Sequence, residues 1–197
     1  MAIKRNNLES IFIKNQYDFT IRSKSFTWYQ NQIRKLQGIT SASMFKSERD
    51  LLTTKLQIGK MYLYLYDPKF KATLPYYDMF PLTLPFNRDA EHIISLNLHY
   101  IHPLIRVKML DRLMDYATND RMDKSTKIKF SYQLIKSASK FAPLKPTVHM
   151  YRFDHIRSNF LEIPPDNWIT ACLLPVEQFK KRNKTAVYAT SMKGINT

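Results

Sequence analysis

The sequence predicts an α+β fold: a compact β-rich body of mostly antiparallel strands, with an N-terminal helix and a central helical pair. Three observations carry that prediction. In "KMYLYLYD", Tyr62, Tyr64 and Tyr66 alternate with Met61, Leu63 and Leu65, the period of a strand with two different faces. From residue 103 to 141 the apolar residues recur every three or four positions instead, as they do on helices packed along one side. Beyond "PLKPT", short extended runs return, separated by proline- and asparagine-bearing turns. The 197 residues suit one α+β domain, read as 21–197, preceded over 1–20 by a basic arm without clear periodicity.

Taken in order, the N-terminal helix is "SKSFTWYQNQIRKLQ", where Phe26, Tyr29, Ile33 and Leu36 share a face, Ser25 caps the start and Gly38 the end. A second short helix is expected near residues 43–56. The strand around Tyr62 is followed by two more, "MFPLTLPF" and "HIISLNLHYI". Pro81 and Pro85 cannot donate to a ladder, so they confine the middle strand to an edge or a short piece. In "PLIRVKMLDRLMDYATN", Pro103 suits a first turn; Val107, Leu110, Leu113, Met114 and Ala117 gather on one side, with Lys108, Asp111, Arg112 and Asp115 opposite. "DKSTKIKFSYQLIKSASKF" follows, capped by Asp123, with a core stripe of Ile128, Tyr132, Ile135 and Ala138 and a stop before Pro143. "VHMYRF", "FLEI", "WITACLL" and "TAVYAT" then read as extended, with turns at "PPDN" and "KKRNK".

Thirty-one basic and 16 acidic residues leave a net charge of +15. Such an excess repels itself and favours a polyanionic partner: nucleic acid first, with an anionic membrane surface or an acidic protein as alternatives. Residues 1–50 carry +5, 51–100 only +1, 101–150 +6 and 151–197 +3, so the aromatic strands and the charged surface are separate pieces. Gly38, Gly59 and Gly194 stand isolated, which excludes phosphate-cradling and dinucleotide loops. The lone cysteine, Cys172, cannot form an internal disulfide and reads as a small buried residue. With no signal-peptide core and no apolar run near 18 residues, the expectation is a protein of the reducing cytoplasm with no membrane partner.

Catalytic signals are weak, and neither an enzyme nor a cofactor is expected. His99 and His102 are three apart but lack a third ligand at metal-site spacing. A metal-dependent nuclease would use converging carboxylates; Asp67, Asp78, Asp89 and Glu91 flank the predicted strands, and Asp166 follows two prolines. In "EQFK", however, Glu177 precedes Lys180 by three positions, one too many for the usual acid-x-lysine element, and these carboxylates read more simply as turn formers. No nucleophile turn of the Gly-x-Ser-x-Gly kind occurs.

Phosphate contact has more behind it. On the second central helix Lys129, Lys136 and Lys140 fall within about 40° of one another and span about 16 Å, the scale of a DNA backbone. Lys180, Lys181, Arg182 and Lys184 form a basic knot in a turn; the arm offers Lys4, Arg5 and Lys14, and the first helix Arg34 and Lys35. Each run alone is also what a solvated face looks like. No arrangement resembles a base-reading helix, so binding without sequence preference is expected. Tyr62, Tyr64, Tyr66, Tyr76 and Tyr77 have three readings: a core, a subunit interface, or a platform on which unpaired bases stack.

The stretches "GKMYLYLYDPKFKATLPYYDMFPL" and "ISLNLHYI", then the run from "RLMDYATNDRMDKSTKIKF" to "VEQF", resemble the DNA end protector, or terminal DNA protecting, proteins of T4-like tailed phages. The likeness covers roughly residues 23–192, is weaker over "SFTWYQNQIRKL", and rests on the idiosyncratic "LPYYD-x-FPL" and "LNLHY". It implies a virion protein, made in the host cytoplasm, that binds the ends of packaged double-stranded DNA, shields them from host exonuclease and completes the head beside portal, neck or tail components. A structural neck, tail or baseplate subunit docking on acidic neighbours is the alternative. The resemblance brings no catalytic residues. One departure is "NRDAEHIIS", which lacks the glycine expected in the turn before "LNLHY".

Overall fold

The computed structural model describes residues 49–102, 142–174 and 176–193, together with Arg106, Arg121, Asp123, Ser125, Tyr132, Gln133 and residues 135–137. The N-terminal arm and helix, and most of the central helical pair, lie outside the described residues. Arg106, Ser125, Tyr132, Gln133 and residues 135–137 have helical backbone.

The described residues hold eight strands: β1 Leu52–Thr53, β2 Met61–Leu63, β3 Tyr77–Asp78, β4 Leu82–Arg88, β5 His92–Asn97, β6 Val148–Arg152, β7 Phe160–Ile163 and β8 Phe179–Lys180. Six of them form one sheet in the order β1-β7-β2-β4-β5-β6, every neighbouring pair antiparallel, while β3 and β8 form a separate two-stranded ribbon. The body is therefore β-rich and antiparallel, as expected.

The two faces written into "KMYLYLY" are both covered. Met61 and Leu63 face a core with Leu82, Leu84, Leu96, Leu161 and Ile163, closed by Trp168, Cys172 and Ile135. Tyr62, Tyr64 and Tyr66 face a second, aromatic cluster with Ile93, Tyr151 and Phe160. Trp168 fixes itself over the first face by donating Nε1–H to Ile163 O at 2.8 Å. Each of these large side chains contributes roughly 1.5–3 kcal/mol by leaving water, so a sheet covered on both sides is well stabilised.

Contrary to the proline argument, β4 is neither short nor at an edge: it runs seven residues between β2 and β5. The Gly59 N–H donates to Pro85 O at 3.0 Å, so that carbonyl, and with it the side where Pro85 lacks an N–H, faces the β2 side. There β2 has not yet begun, and no ladder bond is lost. The β4–β5 turn closes without glycine because Asp89 Oδ1 accepts from the N–H groups of Glu91 (2.8 Å) and His92 (2.7 Å).

Three further expectations fail in the described residues. "WITACLL" is no strand: Trp168–Leu173 form a helix, α1. A continuous apolar run of this length reads equally as buried strand or buried helix, and the 3₁₀ turn Pro165–Asn167 feeds it into the helical form. "TAVYAT" lies inside a second helix, α2, Lys184–Lys193. Asn183, taken as part of a turn, caps it by accepting the Ala186 N–H at 2.9 Å. The short helix near 43–56 does not extend into residues 52–56; a 3₁₀ turn at Arg49–Leu51 leads directly into β1, where Leu52 and Thr53 pair with Leu161 and Phe160. Tertiary pairing overrides local propensity there.

Candidate nucleic-acid interface

The basic knot begins on β8, which pairs Lys180 with Tyr77 and Phe179 with Asp78. Lys180 is exposed. Lys181 takes a positive φ of 67° and turns its amine onto the loop opposite, donating to Ala72 O (2.7 Å) and Leu74 O (2.9 Å). Arg182 places its guanidinium 5.0 Å from the centre of the Tyr76 ring. Lys184 lies 3.3 Å from Glu177 Oε1. The four cations are thus brought together, but three of them are engaged within the chain.

Behind Arg182 runs a column of rings. Tyr76 stacks on Tyr100 at 5.7 Å, Tyr100 meets His149 at 4.1 Å, and His149 meets Tyr151 at 6.2 Å. Tyr151 contacts Tyr66 (4.9 Å) and Tyr64 (5.6 Å) edge-on, and Phe160 joins Tyr64 to Tyr62. Tyr62 and Tyr64 are 0% exposed and Tyr66 7%, so all three are core side chains in this fold, with no ring face open to a base. Burial pushes the Tyr62 hydroxyl up to about 12. Tyr76 and Tyr77 are half-buried and line a cavity of about 410 Å³ along β6, the last strand of the sheet among the described residues.

Three buried polar groups that the sequence reading did not single out for this role hold the region together. Asp78 accepts from the N–H groups of Phe80 (3.0 Å) and Gln178 (3.1 Å) through Oδ1, and from His99 Nδ1 (2.7 Å) and Asn97 Nδ2 (3.3 Å) through Oδ2. It forms the turn expected of it, through the Phe80 N–H two residues on, and is in addition a buried hub between β3, β5 and β8. Arg106, 1% exposed, donates to the carbonyls of Ile101 (2.7 Å), Cys172 (2.9 Å) and His99 (3.1 Å) and to the Tyr188 hydroxyl (2.9 Å). Tyr188 in turn donates to Glu177 at 2.6 Å. Burial alone would raise the Glu177 carboxyl, but Arg106, His99, the Tyr188 hydrogen bond and Lys184 together bring it down to about 2. A signal for Arg106 exists only in its place, at the spacing of Leu110, Leu113 and Ala117 on the apolar side of the predicted helix.

The other carboxylates form no catalytic arrangement among the described residues. Asp67 pairs with Lys71, Asp154 with Arg152, and Asp89 closes its turn. No group of three or more His, Cys, Asp or Glu that could hold a metal occurs among the described residues. Cys172 is buried in α1, and burial pushes its thiol up to about 12. Lys136 is exposed with its amine 5.5 Å over the Tyr132 ring. Lys4, Arg5, Lys14, Arg34, Lys35, Lys129 and Lys140 lie outside the described residues.

Comparison with known proteins decides the family. The profile described as phage T4 terminal DNA protecting protein matches residues 4–193. The chain belongs to that family. Protection of phage DNA termini is what the terminal DNA protecting family is named for, and the match takes in the arm, both sheets and the basic knot alike. Searches of curated proteins and of solved structures returned no significant match. No helix among the described residues of this family member is long and apolar enough to cross a membrane.

Proposed function

We propose that the protein binds the ends of packaged phage DNA through phosphate contacts, without sequence preference, and shields them from host exonuclease by occupancy. The family match over residues 4–193 carries this reading. The distribution of charge supports it. Residues 51–100 and 151–197 contribute +1 and +3, whereas 1–50 and 101–150 contribute +5 and +6. In the sheet body many cations are already spent on partners: Arg106 in the core, Lys60 on Glu162, Lys71 on Asp67, Arg152 on Asp154. On this reading Lys4, Arg5, Lys14, Arg34, Lys35, Lys129, Lys136 and Lys140 supply most of the phosphate contacts, and the near-neutral sheet few.

Protection of this kind needs no reaction. A processive nuclease must thread or grip a terminus, and a basic protein seated there denies it entry. In the virion the same seat completes the head beside portal, neck or tail components. The test is a titration of short blunt duplexes against the full chain between about 50 and 200 mM salt, with closed circular duplex as competitor. Affinity should fall steeply, because each neutralised phosphate releases counterion, and the circle should compete poorly. A flat salt response, or equal competition by the circle, overturns the reading.

A further inference from the structure

The cavity beside β6 has features that phosphate binding does not use. Phe70 and Met150 are 63% and 60% exposed, the large hydrophobic side chains left to solvent among the described residues, and both line this one cavity. Two such side chains at a single mouth mark a contact site rather than scattered surface. Tyr76, Tyr100 and Tyr151 form its walls. His149, also in the lining, keeps an enclosed Nε2 with no hydrogen-bond partner in the structure.

Besides Asp78, the lining carries Lys69 and Arg152, the latter paired with Asp154 and 4.0 Å from Glu91. The Lys69 amine lies 5.6 Å over the Phe70 ring, and the Arg182 guanidinium covers Tyr76. Asp78 is the one carboxylate in the lining, and its oxygens are taken by Phe80, Gln178, Asn97 and His99. Rings flanked by cations suit a ligand that joins a flat aromatic to an anion. A volume of about 410 Å³ is that of a site for one small ligand.

We propose that this cavity takes an unpaired terminal nucleotide of the DNA, its base stacked on the exposed Phe70 beside Met150 and the half-buried Tyr77, and its phosphate beside Lys69. The inference rests on the DNA-end reading above and deepens it. A base within a duplex has both faces covered by neighbours; an unpaired terminal base has a face to offer. Stacking of this kind tolerates any base, because every base has a π-face.

The experiment uses the full chain and a short duplex bearing a one-nucleotide overhang of 2-aminopurine, compared with the same duplex blunt. The overhang should bind about tenfold more tightly, and its fluorescence should be quenched on binding. Phe70→Ala should abolish the quench and bring the overhang to the blunt affinity; Phe70→Trp should preserve both, and Phe70→Leu should behave as alanine does. Phe70 is too exposed for these changes to unfold the chain. Equal affinities without quenching, with blunt duplex still bound, overturn the cavity assignment and leave end binding standing. Loss of binding to both duplexes in the unaltered protein overturns end binding itself. Should Phe70→Ala instead change the oligomeric state and leave overhang binding untouched, the cavity belongs to a second copy of the chain and the proposal fails.

Discussion

The guanidinium of Arg182 lies 5.0 Å from the centre of the Tyr76 ring, and Tyr76 stacks on Tyr100 at 5.7 Å. The basic turn after β8 is therefore anchored to the aromatic column through a cation–π contact at a largely exposed position. Arg182→Ala should lower stability by about 0.5–1 kcal/mol, and Tyr76→Leu should remove the same contact. In a urea-unfolding double-mutant cycle, the two changes together should cost less than the sum of the singles. Strict additivity would show that the contact is not formed in solution.

Lys181 sets two effects against each other. Its φ of 67° disfavours a side chain, while its amine holds two carbonyls of the 68–75 loop. Lys181→Ala keeps the strained backbone and loses the bonds, whereas Lys181→Gly loses the bonds but relieves the backbone by about 1 kcal/mol. Glycine should thus be the milder change by that amount in thermal or urea unfolding. An alanine variant as stable as the glycine variant would contradict the turn geometry.

Arg106 is a cation with four hydrogen bonds and almost no exposure. Removing one member of a buried charged network leaves the rest unpaired, at about 3–5 kcal/mol. Arg106→Met should therefore destabilise by that order, and Arg106→Lys by a large part of it, since an ammonium cannot span three carbonyls and a phenol. A denaturant midpoint within error of the parent protein would contradict this.

Acid should act in two stages. Burial holds the His149 ring down to about 4, against an ordinary value of 6.5. Between those values the unfolded chain binds a proton that the folded chain refuses, so stability falls as pH drops through that window, by up to about 3 kcal/mol. Glu177, at about 2 in the fold against 4.5 outside it, extends the loss from 4.5 downward by a similar amount. Urea midpoints measured from pH 7 to 3 should show both declines, and His149→Gln should flatten the upper one. A profile already flat above pH 4.5 in the unaltered protein would exclude the buried-histidine effect.

Reversing Lys129, Lys136 and Lys140 to glutamate should weaken binding to all duplexes alike and reduce the salt slope by about three. Unchanged affinity, with the fold intact by circular dichroism, would remove that helix from the interface.

What was legible in the sequence was the alternation. Met61 and Leu63 went to one face and Tyr62, Tyr64 and Tyr66 to the other because period two is imposed by strand geometry itself. The helices α1 and α2 were not legible for two different reasons. In Trp168–Leu173 every position is apolar or nearly so, leaving no polar face to set a period; in Lys184–Lys193 the β-branched and aromatic residues mask the cap at Asn183. Pro85 misled because its cost depends on which way the missing N–H would point, a fact of register and not of composition. The same holds for the candidate site. Charge located the knot at 180–184, but that Lys181, Arg182 and Lys184 would be spoken for by carbonyls, a ring and a carboxylate is tertiary information. Phe70 carried a weak signal, a lone phenylalanine between lysines after a proline, which marks an aromatic on an exposed loop.

β7 is inserted between β1 and β2, although it follows both by some hundred residues of chain. A ribosome making this protein must emit residues 160–163 before β1 can be seated, whereas β2 can already pair with β4, so the sheet closes only once β7 has emerged. Until then the nascent chain carries the +6 of residues 101–150 with its sheet unfinished, amid ribosomal RNA. Completion of the native topology therefore waits on β7, and its speed is set by how quickly residues 160–163 reach residues 52–63.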